Sequence, residues 1–296
     1  MHDLDPYTAQ DARTDTVGPY SELWRTMLGL VLVMLVSFVV SFFISGAFVA
    51  VNPEGLLAGG GLGSTAPALL LLLSSFLSVA VGVHVAAKTL QRRSLRDVVG
   101  PGSVALMQFW GVLKYLFLLM LALVILPPYG MDQPLQENLS PARWIALLPL
   151  AIGALLIQTG SEEILFRGYL QQSLAARFRS PALFIGVPSV LFALGHYMPA
   201  QAGDNAWLVV LWAGVFAILM ADLTARAGTL GPAVAIHFFN NFTAIALIAP
   251  ASSMNGLALY TLPFDLSDSE ASLPWMAVDF AMLIVCWLIG RLAIRR

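Results

Sequence analysis

Charge is what this sequence lacks. Only 11% of its 296 residues are Asp, Glu, Lys or Arg, less than half the ~25% of an ordinary soluble domain. A water-exposed surface over most of the molecule is therefore excluded. Nucleic-acid binding goes with it: the one basic cluster, Lys88–Arg96 ("KTLQRRSLR"), adjoins an apolar run and reads as span flanking or contact with anionic lipid. Cysteine is nearly absent. Cys286 stands alone inside an apolar segment, so no intrachain disulfide can form. No period of 20–50 residues repeats, and there is no HExxH. A cleavable leader is not expected either. Residues 1–23 are polar and acidic, and the first apolar run is too long and too late for a leader's apolar region. That run reads as an uncleaved anchor behind a polar tail, 1–23, with little fixed structure.

What is present is apolar length. The chain is 58% hydrophobic with a mean hydropathy of +0.81, and its runs approach the ~20 residues needed to cross a bilayer as a helix. Eight spans are expected, at about 25–50, 64–88, 104–127, 144–170, 181–197, 206–226, 230–250 and 272–293. Lys88, Arg92, Arg93, Arg96, Arg177, Arg179, Arg226, Arg291, Arg295 and Arg296 then fall on one side, with Arg13 and Arg25. Loops 51–63, 197–206 and 251–271 carry no basic residue, and only Arg143 lands opposite. The positive-inside bias places both termini in the cytoplasm. The expected architecture is an all-α integral membrane protein, a polytopic bundle of about eight transmembrane helices over 24–296, with a catalytic core at about 144–250. A bacterial inner membrane is the expected location.

Ten polar residues lie deep or half-deep in these spans: Lys114, Gln158, Glu162, Glu163, Arg167, His196, His237, Asn240, Asn241 and Asp279. All but Lys114 and Asp279 fall between 158 and 241. A charge at membrane depth costs several kcal/mol unless it is paired or wetted, so the clustering marks a site. Glu163 and Arg167 stand i,i+4 with the acid first, the favoured order for a pair. Glu162 is turned about 100° away and left free. His237 and Asn241 also share a face. Lys114, Asp279 and His84 read as structural, Phe192 as packing, and Asp222 with Arg226 as a local surface bridge.

Glu162 precedes the turn at about residue 179 by as many residues as His196 follows it, so an antiparallel hairpin brings the two level. His237 lies only one to two turns inside its own helix. Bringing it to the same depth requires the helix after Glu163 to extend past the bilayer through "GYLQQSLAARFRS", with Arg177 and Arg179 at headgroups. A carboxylate beside an imidazole in a dry cavity can deprotonate water, and an imidazole and a carboxamide on one helix face can hold an oxyanion. Glu162 with His196 would activate water, His237 with Asn241 would hold the oxyanion, and Glu163 with Arg167 would support them. The reaction class is amide hydrolysis.

The motifs EExxxR at Glu162–Arg167, FxxxH at Phe192–His196 and HxxxN at His237–Asn241 resemble those of the CPBP family, which comprises CAAX proteases and bacteriocin-processing (Abi) enzymes. The resemblance covers about 145–250. It implies an intramembrane endopeptidase acting on a protein or peptide substrate at the membrane, with the same division of roles: Glu162 and His196 on water, His237 and Asn241 on the oxyanion. Metal-free glutamate chemistry without a cofactor is expected. The alternative is zinc held by His196, His237 and Glu162, a His₂Glu set known from other hydrolases. Two readings from other classes stand beside the peptidase: an ion-coupled transporter and a non-catalytic scaffold or immunity protein.

Overall fold

The computed structural model describes residues 6–51, 63–126 and 134–295. Most of the first inter-span loop, with all of the glycine-rich "AGGGLG" but Gly63, and Arg296 lie outside them. The chain folds as α1 (Thr8–Thr14), α2 (Leu23–Val51), α3 (Ala66–Ser75), α4 (Leu77–Leu90), α5 (Leu95–Val99), α6 (Gly102–Ile125) and α7 (Pro141–Glu163). A π-helical segment, Ile164–Leu170, leads from α7 into α8 (Gln171–Ala175). There follow α9 (Pro181–Phe184), α10 (Gly186–Leu194), α11 (Pro199–Ala202), α12 (Ala206–Ala227), α13 (Gly231–Asn241), a second π segment Phe242–Leu247, and α14 (Ser269–Ile294). The protein is an integral, multi-pass membrane protein.

Among the described residues, six helical stretches are long and apolar enough to cross a bilayer: Leu23–Ala50, Ala66–Leu90, Leu95–Ile125, Pro141–Ala175, Pro199–Ala227 and Ser269–Ile294. The expected fifth and seventh spans are corrected: both are helical but short. Pro188 has no N–H to donate to the Phe184 carbonyl four residues back, and the helix over Pro181–Leu194 breaks between α9 and α10 at Ile185. The seventh, α13, has 11 residues and is nearly enclosed by protein: Gly231, Pro232, Ala233, Ala235, Ile236, His237, Phe238 and Phe239 are all buried. It packs against α6, α7, α12 and α14. A helix apolar on all sides needs such enclosure. Gly231 permits it, because a Cβ there would collide with the Ala105 backbone of α6.

The core surrounds this central helix, with Leu69, Leu73, Leu116, Leu155, Phe216, Met220, Leu223 and Ile236 at most 2% exposed. The lipid-facing sides of α2 and α6 instead expose large apolar side chains, among them Met34, Phe42, Met107 and Val124. Lys114 is exposed on α6, its ammonium 5.6 Å from the Tyr115 ring.

Two segments expected to be plain carry structure. Loop 251–271 contributes β3 (Tyr260–Thr261) to a small sheet in the order β1–β3–β2. β1 (Gln136–Glu137) pairs with it antiparallel and β2 (Ile248–Ala249) parallel. The N-terminal tail, expected to be loose, is helical over Thr8–Thr14 and packs on α12 and α8, with Gln10 and Arg13 buried. Tyr7 donates to Asp222 Oδ1 at 2.9 Å. Asp222 also accepts from Arg226 at 2.8 Å and from Trp287 at 3.0 Å. The bridge read as local therefore joins α12 to the tail and to α14.

The helix through Glu163 does continue to Ala175, as the depth of His237 required. Its continuation is packed inside protein, however, with Tyr169, Gln171 and Gln172 at 0% exposure, and exposed basic side chains return only at Arg177 and Arg179.

Candidate active site

Glu162 and Glu163 end α7, one residue before the π segment that carries Arg167. Such segments are rare and concentrate at functional sites. Arg167 donates to Glu163 Oε1 at 3.0 Å, both side chains at 2% exposure or less, and to the Ala217 carbonyl at 3.2 Å. Its guanidinium carbon lies 4.8 Å from the Phe192 ring centre and 5.9 Å from that of Phe216. These rings exclude water from the pair. A buried ion pair holds only when further bonds compensate its desolvation, and here the Ala217 carbonyl and two aromatic faces do so.

His237 enters from α13. Its Nδ1 lies 2.8 Å from Glu163 Oε1 and its Nε2 3.4 Å from Glu162 Oε2. Glu163 balances Arg167, so its carboxylate accepts, and His237 carries its proton on Nδ1. Glu162 Oε2 has no hydrogen-bond partner among the described residues. Glu162, His237, Glu163 and Arg167 thus follow one another as contacting polar groups. The Phe216 ring packs 4.8 Å from the imidazole.

A second rung lies one turn along. Asn241 Nδ2 donates to Gln158 Oε1 at 2.8 Å, and Asn241 Oδ1 accepts from Asn240 at 3.2 Å. Gln158 and Glu162 are i,i+4 on α7; His237 and Asn241 are i,i+4 on α13. Facing antiparallel helices join the two pairs like rungs of a ladder. Asn241 keeps one amide hydrogen uncommitted. Trp144 clamps the same two elements at their other end, donating to the Ala246 carbonyl at 2.7 Å.

His196 is placed differently from expectation. No hydrogen bond or ion pair joins it to Glu162; His237 occupies that position. It sits in the turn that closes α10, half-buried, with Nδ1 2.9 Å from the Phe192 carbonyl. A carbonyl only accepts, so Nδ1 bears the hydrogen and Nε2 presents a lone pair. Phe192 stands between the imidazoles, its ring centre 4.4 Å from His196 and 6.1 Å from His237. Phe192 also meets Phe166 at 5.1 Å. Glu162 precedes Phe166 by four residues and His196 follows Phe192 by four, and no hydrogen bond or ion pair joins the two among the described residues.

Sequence reasoning named Gln158 as deep and polar but gave it no part in the site. The signal was its i,i+4 spacing to Glu162, which mirrors His237–Asn241. Phe216 carried no signal. The proposed zinc set does not fit: among the described residues, no three His, Cys, Asp or Glu side chains are grouped to hold a metal ion. Both nitrogens of His237 already face carboxylates, and His196 is turned to a carbonyl.

Residues 144–243, which hold every one of these groups, match the family described as type II CAAX prenyl endopeptidase Rce1-like. Over that segment, about a third of the chain, the protein is similar to the CPBP family. That family is one of CAAX-type intramembrane proteases. The chain is also similar to the uncharacterized protein YyaK of Bacillus subtilis (strain 168), 26% identical over 182 residues, and spans 59% of that protein's length and of its own. No solved structure gives a significant match. The CPBP segment coincides with the helices that carry the ladder, α7 through α13, and leaves out α2–α6 and α14.

Proposed function

We propose that the protein is an intramembrane endopeptidase in which Glu162 is the general base. A single observation carries this: Arg167, Glu163 and His237 form one hydrogen-bonded chain, with Glu162 3.4 Å from its end, inside a bilayer-spanning bundle, in a segment similar to a protease family. The 3.4 Å gap between Glu162 and His237 Nε2 is longer than a direct hydrogen bond, so an entering water and carbonyl can part them cheaply.

In this reading, Glu162 takes a proton from water while the Nε2 lone pair of His196 holds the other hydrogen. The resulting hydroxide attacks the peptide carbonyl carbon. Its oxygen, now anionic, accepts from protonated His237 Nε2 and from the free amide hydrogen of Asn241. Glu162 then passes its proton to the leaving nitrogen, the C–N bond breaks and the carbonyl reforms. Glu163 holds His237 in its tautomer, and Arg167 holds Glu163. No metal or other cofactor enters these steps. The substrate is a protein or peptide reaching the membrane, and the bacterial relative favours a bacterial inner membrane.

The test is comparative proteomics of membranes holding the wild type or Glu162→Gln at equal abundance, followed by cleavage of the peptides so found in proteoliposomes. A general base contributes about 10²–10⁴-fold, and a loss of that size is expected. Cleavage that survives the substitution would remove the peptidase reading and favour a scaffold.

A further inference from the structure

We propose that a cavity at the basic end of the bundle, between the N-terminal helix and the 91–102 turn, binds a phosphate oxyanion presented by an anionic phospholipid headgroup. The cavity holds about 780 Å³ and is lined by Arg13, Thr16, Arg96, Asp97, Gly100 and Gly102, among others.

Its floor is short of negative charge. Arg13 is 7% exposed; one terminal nitrogen donates to the Val98 carbonyl at 2.6 Å, while Nε and the other have no partner. Behind it lies Arg93, 2% exposed. Arg93 donates to Gln91 at 3.2 Å and to Gln172, and its Nε is also unpartnered. Among the described residues, neither guanidinium forms an ion pair with a carboxylate. Burial, and then the neighbouring Arg93, bring the Arg13 guanidinium down to about 9; Arg93 falls to about 10, again through burial. The one acid at the cavity, Asp97, is engaged. Its Oδ2 accepts from the Ser94 N–H and hydroxyl, both at 2.8 Å, and so caps α5.

A second donor set points into the same space. The N-terminus of α6, a helix of 24 residues, has Pro101 as its cap residue and no side-chain cap. Its first N–H groups carry partial positive charge and no intrahelical partner, and Gly102 leaves them uncovered. Unpaired buried guanidinium together with helix N–H groups is the donor pattern that tetrahedral oxyanions fit. Lipid is the natural source at this depth. The cavity sits where α4 and α6 leave the bilayer, beside exposed Arg92 and Arg96, in the basic stretch that the sequence marks for anionic lipid. Through Gln172, which donates to the same Val98 carbonyl at 2.8 Å, the site rests on the helix that carries Glu162 and Glu163.

The full-length protein would be unfolded thermally in phosphatidylcholine nanodiscs with and without phosphatidylglycerol. A parallel arm titrates sodium phosphate into the phosphatidylcholine sample against sodium chloride of equal ionic strength. Near a 100-fold excess over Kd, phosphatidylglycerol should raise the midpoint by about 5 °C, and Arg13→Gln should abolish the rise. Arg96→Gln, at the exposed mouth, keeps the fold and should weaken the response severalfold. A rise with inorganic phosphate alone, to which phosphatidylglycerol adds nothing, supports the oxyanion site and assigns it to free phosphate. No rise, a rise matched by chloride, or a rise unchanged in both variants overturns the proposal.

Discussion

Glu163 does more at this site than its partner Arg167 requires. Its Oε1 accepts from both Arg167 and His237, so one atom fixes a cation and an imidazole tautomer together. Glu163→Gln keeps the shape but strands a buried guanidinium, and removing one partner of a buried pair costs about 3–5 kcal/mol. Denaturation midpoints in detergent should fall accordingly. Glu162→Gln should lose activity with the midpoint nearly unchanged, since its side chain is 13% exposed and forms no ion pair with a permanent cation. If both substitutions destabilise the fold alike, the division between base and support fails. Asn241→Ala removes one oxyanion donor and should lower turnover about 10²–10³-fold, read as kcat at saturating peptide.

At the scale of elements, both helices of the ladder turn π-helical directly after their site residues, at Ile164 and at Phe242. A π segment holds one residue more than the α-helix it interrupts. Deleting Leu165 should restore α-helix and leave the flanking helices in place. It also moves Arg167 from i+4 to i+3 of Glu163, a rotation of about 100°. Activity should vanish while membrane insertion, assayed by flotation, persists. The break at Ile185 is the other element-level device. Pro188 costs α10 its continuity with α9, and α10 packs Phe192 against Phe166 and Phe216.

At the scale of the molecule, the N-terminal helix closes one face of the bundle through Tyr7, Asp222 and Trp287. Burial first, and then the adjacent Asp222 carboxylate, raise the Tyr7 phenol above its ordinary value. The folded state therefore holds this proton more tightly than the unfolded state. The stability it contributes is complete below the unfolded value near 10 and is lost as pH rises toward the higher folded value. Tyr7→Phe should lower the unfolding free energy by about 1 kcal/mol at pH 8, and the gap between wild type and variant should narrow above about pH 10. A gap that widens there would show that the hydroxyl is not the donor.

The sequence by itself determined that this chain lives in a bilayer as a helical bundle and which polar residues lie deep in its apolar runs. Hydrophobic length and i,i+4 spacing are local properties, and deep charge is tolerated only where it is gathered and paired. Helix direction and hairpin counting led to the expectation that Glu162 and His196 would meet. Which histidine touches the glutamates was decided by tertiary structure. Level positions on neighbouring helices do not specify rotation, and the turn after α10 directs His196 to a backbone carbonyl while the nearly enclosed α13 aims His237 at both acids. The two short helices had the same origin: a run reads as a span by its apolarity, yet only packing reveals whether lipid or protein surrounds it.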